Sequence, residues 1–495
     1  MPTRVRLGEA RGRWVLAVAV LGSAVAQLEA TVVNVALPTI GRELDASVAG
    51  LQWTLNGYLL TLAALILLGG SLGDRFGRRK VFLLGVVWFT TASALCALAP
   101  SIEVLVAARI LQGVGGALLT PGSLAIIEAT FHPDDRGRAI GAWSALGGVA
   151  GAVGPLLGGW LIDAASWRWV FLVNLPVGAL VVAAALRHVP ESRDMDMGDG
   201  RDATGALLAT LGLAGVTYAL VDAGGGLSAG GTAAGVAGVL ALAAFVVVEQ
   251  RTPSPMLPLD VFRSRQFTAA NLVTFVVYGA MGGVFFLLVV QLQTALGYSA
   301  IQAGASTLPL TAIMLLFAAR GGALAQRIGP RLPLTIGPLL IALAMLLMRR
   351  IEPGATYVSA VLPAVLVFGA GLVLVVAPVT ATALSSAPER HAGVASGVNN
   401  AVARTASLMA VAVLPLAAGL TADAYQDPAA LTEAFRTAML ITAAVAAAGG
   451  VIAWLTISND AVRPEAAHQL TQCPLNCPPL RTTDAELAKA EKLPA

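Results

Sequence analysis

One feature constrains this chain more than any other: an apolar run of about 20 residues, long enough as a helix to cross a bilayer core, recurs many times between Trp14 and Leu455. The repetition excludes a protein held by a single anchor. Only 12% of the residues are charged and 57% are hydrophobic, whereas a soluble domain carries about a quarter of its residues as charges. The expected fold is therefore an all-α membrane protein. The formal net charge of +3 and a pI near 8.9 reflect basic cytoplasmic loops in a chain of this kind, so no nucleic-acid partner is inferred.

Reading the runs between charged and Gly/Pro-rich breaks gives six spans in the first half: Trp14–Leu37, Leu51–Leu72, Val81–Leu98, Val104–Ile127, Ala139–Ile162 and Val170–Leu186. Two follow at Thr204–Val221 and Thr232–Val248. Six more lie at Phe267–Leu292, Gln302–Ala319, Leu332–Met348, Val358–Ala381, Gly393–Gly419 and Thr437–Leu455. The pattern of six, two and six predicts 14 transmembrane helices: an N-terminal six-helix bundle over 1–190, two additional helices with their linkers over 191–260, and a C-terminal six-helix bundle over 261–456. Residues 457–495 form a polar tail whose composition predicts disorder.

Orientation follows from Lys and Arg, which are retained on the cytoplasmic side. With the amino terminus inside, the inner segments hold 24 of the 31 Lys and Arg and the outer loops hold five: Arg42, Arg168, Arg349, Arg350 and Arg436. Arg109 and Arg404 lie within spans. The expectation is a multi-pass protein of the inner (cytoplasmic) membrane with both termini cytoplasmic. The apolar run after Arg4, Arg6, Arg11 and Arg13 is longer than a signal-peptide core and ends without a cleavage site, so it stays attached as the first helix.

An internal repeat supports the division. Gly70-x-Leu72-x-Asp74-Arg75-x-Gly77-Arg78-Arg79 aligns without gaps with Gly322-x-Leu324-x-Gln326-Arg327-x-Gly329-Pro330-Arg331. Each copy closes the second span of its half. Two halves repeating in one orientation is the parallel-repeat plan of alternating-access carriers, with substrate near the midplane between them.

The loop Gly70 to Arg79 resembles the signature between helices 2 and 3 of the major facilitator superfamily. Leu105-x3-Arg109-x2-Gln112-Gly113 is similar to its second motif, and Gly154-Pro155-x2-Gly158-Gly159 with Gly141 upstream resembles its antiporter motif in helix 5. Three further strings resemble the fourteen-helix branch of drug:proton antiporters: Leu28 to Pro38, Trp167 to Gly178, and Gln291 to Pro309. The resemblance covers residues from about 14 to 456. It implies a cytoplasmic gate built from Gly70, Asp74, Arg75, Gly77, Arg78 and Arg79, and a proton-coupling pair of Glu29 and Arg109. Glu29 stands where the family usually has Asp.

Depth supports that pair independently. Glu29 lies eight residues, about 12 Å, below the outer end of its span, and Arg109 five residues, about 7.5 Å, below the outer start of its own. A carboxyl buried beside a guanidinium is held charged by its partner and driven neutral by desolvation, a balance that a proton carrier exploits. A permanent structural ion pair is the competing reading. Residues placed to line a substrate cavity are Asn34, Trp53, Tyr58, Gln112, Trp143, Asn271, Tyr278, Gln291 and Asn399. Each also fits a packing role. Arg404 either faces the cavity or snorkels.

An enzyme is not expected. His132, His188, His391 and His468 lie in loops or the tail, Cys473 and Cys477 supply too few ligands for a closed metal site, and no lysine follows glycine as a phosphate loop requires. No cofactor or metal is implied. The reading is a monomeric carrier in the lipid bilayer, acting on protons and a small molecule: proton-coupled efflux of small amphipathic drugs or antibiotics by alternating access. The alternative is proton-coupled uptake or facilitated transport of a small metabolite.

Overall fold

With no water to satisfy its backbone, a chain crosses a bilayer core as helices whose hydrogen bonds close within each segment. The computed structural model describes residues 5–193, 203–223, 226, 228–252, 255, 257–386, 392–420 and 427–459. Its long helices are α1 (Ala10–Glu43), α2 (Val48–Phe76), α3 (Arg78–Ala97), α4 (Ile102–Thr130), α5 (Pro133–Ala164), α6 (Arg168–His188), α7 (Ala203–Asp222), α8 (Ala229–Arg251), α9 (Arg265–Thr294), α10 (Ala300–Ile328), α11 (Arg331–Met348), α12 (Tyr357–Ser385), α13 (Ala392–Ala417) and α14 (Pro428–Thr456). Thirteen of these are long and apolar enough to cross a membrane; α5, of 32 residues, is the remaining one.

The helices overrun the predicted spans, and the reasons are local. Pro38 marks the expected end of the first span, yet α1 continues to Glu43 and closes with Leu44 N donating to Ile40 O. A proline removes one intrahelical bond without forbidding the next turn. α5 starts early because Pro133 occupies a first-turn position, where its missing N–H costs nothing. α6, α10 and α12 each contain an irregular turn: at Val173, at Ser306–Thr307, and as a π-helical turn over Tyr357–Val361 ahead of Pro363.

The packing repeats between halves. In the first, α2 and α3 pack on α4 and α1 packs on α5; in the second, α10 and α11 pack on α12 and α9 packs on α13. Glycines set the close approaches. A Cβ on Gly69 of α2 would lie 2.1 Å from Ala117 O of α4, and one on Gly321 of α10 would lie 2.2 Å from Val373 O of α12. Those two glycines are equivalent positions, each immediately before the aligned repeat, so the same helix pair is drawn together twice by the same device. The additional helices α7 and α8 pack on each other, and α7 also touches α2 and α13, one from each half. It therefore lies along a seam between the bundles.

The halves meet most closely on the face opposite Gly77. There Gln293 Nε2 of α9 donates to Val35 O of α1 at 3.0 Å, Gln52 Nε2 of α2 to Val411 O of α13 at 3.0 Å, and Ile301 N of α10 to Asp163 Oδ2 of α5 at 2.9 Å. One apolar core runs through both halves on that side, joining Val32, Val35 and Ile40 of α1 to Phe286 and Val290 of α9. Nearer the Gly77 face the first half has a second core of its own, around Phe82, Val86 and Ile126. The tail with His468, Cys473 and Cys477, together with His391, lies outside the described residues.

Candidate functional site

Two charges buried within one bundle mark the site. Arg109 Nη1 of α4 donates to Glu29 Oε1 of α1 at 2.6 Å, and Asn174 Nδ2 of α6 donates to the other carboxylate oxygen at 2.8 Å. Arg109 Nε donates to Thr54 O of α2 at 2.9 Å, and its Nη1 also reaches Gln112 Oε1. The guanidinium lies 4.5 Å from the ring centroid of Tyr58 and 5.9 Å from that of Phe171. Gln112 Nε2 donates to Ser93 Oγ of α3 at 2.8 Å, and Asn174 reaches the same oxygen at 3.3 Å. Glu29, Arg109, Gln112, Ser93 and Asn174 are at most 2% exposed.

Five helices of the first half thus converge on one ion pair, whose partners and ring faces substitute for water around both charges. A proton on Glu29 would end the ion pair: Arg109 would remain a cationic donor to a neutral acid, the Asn174 bond would become an ordinary one, and the hold of α1 on α4 and α6 would weaken.

The motif loop forms a second cluster. α2 ends on Gly77, whose φ of +113° lies where side chains are strained. Asp74 accepts from Arg78 Nε at 2.7 Å, and Arg75 lies over the Phe76 ring. Glu191, just beyond α6, completes the cluster. Its carboxylate accepts from Arg79 N at 3.0 Å, lies 3.8 Å from Arg79 Nε, and occupies the space where a Cβ on Gly77 would fall. Arg79 Nη1 also bonds Val189 O at 3.0 Å. Gly70 packs beside Pro121 of α4.

The second half builds the same turn with a neutral group. Gly329 has φ +88°, Asn459 fills the space beside it, and Asn459 Oδ1 accepts from Arg331 N at 3.1 Å. The charge lost from Asp74 to Gln326 is matched by a second loss, from Glu191 to Asn459. Sequence reasoning found the first loss and missed the second.

The glycines of α5 divide by partner. A Cβ on Gly154 would lie 2.2 Å from Thr31 Oγ1, and one on Gly158 would lie 2.3 Å from Val32 Cγ2, both on α1. Gly159 faces the other half, where a Cβ would lie 2.5 Å from Ala300 O of α10. Gly304 of α10 returns the contact: a Cβ there would lie 2.1 Å from Pro155 O. A Cβ on Gly141, toward the Gly77 face, would meet nothing within 4 Å outside the backbone of its own helix.

The residues proposed for a cavity do not gather in one place. Tyr58 and Gln112 belong to the buried ion-pair network. Asn34 bonds Ala30 O of its own helix, and Trp53 lies 6.4 Å from Tyr218 of α7. Asn399 of α13 donates to Asn271 Oδ1 at 3.2 Å and to Thr274 Oγ1 at 2.9 Å, tying α13 to α9. Gln291 donates to Ile351 O and to Thr432 Oγ1 at 3.0 Å each, a clamp inside the second bundle. Trp143 and Tyr278 are half-buried, and the buried indole Nε1 of Trp143 has no hydrogen-bond partner among the described residues.

Two helix bundles packed by one repeated scheme, with an ion pair enclosed in the first, define a multi-pass membrane transporter. The chain belongs to the Major Facilitator Superfamily, whose sequence profile matches residues 19–411. It is 37% identical over 426 residues to the tetracenomycin C resistance and export protein of Streptomyces glaucescens, an alignment covering 84% of this chain and 78% of that protein. It is 35% identical over 473 residues to the puromycin resistance protein of Streptomyces alboniger, covering 92% and 93%. Among solved structures, a bacterial homologue of the human lysosomal transporter Spinster, in an inward-facing and unoccupied conformation, shares the fold with a TM-score of 0.63 at 19% identity, over 91% of this chain and 97% of that one.

Proposed function

We propose that this chain exports small amphipathic drugs or antibiotics across the cytoplasmic membrane in exchange for protons, acting as a monomer by alternating access. The observation that carries the reading is the Glu29–Arg109 pair, a titratable carboxyl enclosed within a bundle of a carrier similar to antibiotic resistance proteins. Intramembrane ionisable groups are costly and mark function by default. The bundles over 1–190 and 261–456 rock against each other, with 191–260 inserted between them and 457–495 as a tail. The Gly77 face is cytoplasmic, as are both termini, which the distribution of Lys and Arg supports.

The hydrogen bonds at the opposite face then correspond to a carrier closed outside. The Gly77 cluster is the inner gate, where Asp74, Glu191 and their arginines bias one packing of the halves over the other. The test is a resistance screen of cells expressing the chain against a broad set of toxic compounds. The reading predicts resistance to several compounds through efflux that a protonophore abolishes. Efflux that survives collapse of the proton gradient would remove proton coupling from it.

A further inference from the structure

Arg404 is a deeply placed cation whose surroundings the coupling pair does not explain. It lies at residue 13 of the 26 of α13, at mid-helix, and its Nη2 donates at 2.6 Å to Gln27 Oε1, itself midway along α1. The bond crosses from one half to the other. Among the described residues Arg404 has no carboxylate partner, whereas Arg109 at comparable depth is paired with Glu29. Arg320 of α10 is exposed and bonds Leu316 O of its own helix. Arg404 is half-buried, on a helix that packs against α2 and α9.

A guanidinium carries five donors in a planar fork suited to a carboxylate, and one neutral amide oxygen answers it poorly. Among the described residues, with Glu29 matched by Arg109, one positive charge without a carboxylate partner is left at the junction of α1, α2, α9 and α13. A cation held at this depth requires a partner or a wet cavity. Gln27 serves as a placeholder that an anion can displace.

We propose that Arg404 and Gln27 form the recognition point for an acidic oxygen, a carboxylate or an ionised enol or phenol, on an otherwise apolar substrate. This rests on the efflux reading and narrows it to anionic cargo. Binding is tied to movement by the same bond: an anion that takes the Arg404 fork releases Gln27 and with it a link between the halves at mid-depth.

The experiment uses the purified full-length chain and two probes, fluorescein and rhodamine 123, which share a xanthene core and differ in the sign of their charge. Binding is measured in detergent, and pH-gradient-driven movement in proteoliposomes. The expected result is saturable fluorescein binding that weakens about tenfold or more in Arg404→Gln, the loss of a charge-assisted bond, and less in Arg404→Lys. Gln27→Ala removes the competing acceptor and is expected to tighten fluorescein binding, which a merely structural role for the pair would not do. Rhodamine 123 binding is expected to be weak and to be unchanged or improved by Arg404→Gln. The proposal is overturned if fluorescein fails to bind, if it binds equally with and without Arg404, or if rhodamine 123 binds the unsubstituted chain more tightly. Gradient-driven movement of rhodamine 123 alone would overturn anion recognition and leave efflux standing. Fluorescein binding at Arg404 with no gradient-driven movement of either probe would do the reverse.

Discussion

Asn174 of α6 donates a 2.8 Å hydrogen bond to Oε2 of Glu29, so the carboxylate that Arg109 grips by one oxygen is held by its other oxygen as well. Replacing Asn174 with Leu leaves that oxygen buried without its partner, at a cost of about 1–3 kcal/mol. The expected outcome is a carrier that inserts but melts lower and shifts the pH dependence of its transport, whereas Asn174→Gln preserves part of both. Thermal melting and initial transport rates across pH check this; an unchanged pH profile in Asn174→Leu would show that Asn174 does not act on Glu29.

The contact between Gly159 and Ala300 joins the halves through backbone atoms, so no side-chain rotation relieves a clash there. Gly159→Ala is therefore expected to shift the population away from the state closed at this face, and Gly304→Ala, opposite Pro155 O, to do the same. Spin labels at the ends of α5 and α10 on this face should report a longer mean distance. Gly141→Ala, where space is open, should leave that distance unchanged.

At the opposite end, Asp74 and Glu191 hold separate arginines, Arg78 and Arg79. Asp74→Asn is expected to slow turnover about fivefold or more by changing the balance between two packings, with membrane insertion intact. Glu191→Gln, which copies the neutral group of the second half, should slow it in the same direction. Normal turnover of both variants in reconstituted protein would remove the gate reading.

Sidedness is open to direct measurement. A tag inserted between Ala223 and Gly231 should be reachable from outside the cell and tags at either terminus only from the cytoplasm, because positively charged loops are retained inside. Proteolytic accessibility in intact cells and inverted vesicles measures it directly.

The number of helices and the pairing of Glu29 with Arg109 were legible in the sequence because both rest on rare signals. Apolar runs of membrane-spanning length do not arise by chance in soluble chains, and a charge inside one invites a search for a partner at equal depth. Helix ends were less legible, since Pro38 reads as a stop although α1 passes through it. Glu191 and Asn459 were missed because nothing in their local sequence sets them apart, and Asn174, although inside the string Trp167 to Gly178, was not singled out within it; the roles of all three come from tertiary neighbours. Gln291 shows the converse case. A polar side chain inside a span reads as cavity lining, yet such groups equally tie helices together, and Gln291 joins α9 to Thr432 of α14 and to Ile351 O.

The central claim is that a proton travels on Glu29, and it is tested most directly by Glu29→Gln in proteoliposomes with an imposed pH gradient. Glutamine keeps the size and hydrogen bonding of the side chain but has no proton to release. The account predicts that gradient-driven drug movement is abolished while drug binding persists and loses its pH dependence, and that Glu29→Asp retains coupling. Gradient-driven efflux by Glu29→Gln at the full rate would contradict it, placing the proton elsewhere or removing antiport altogether.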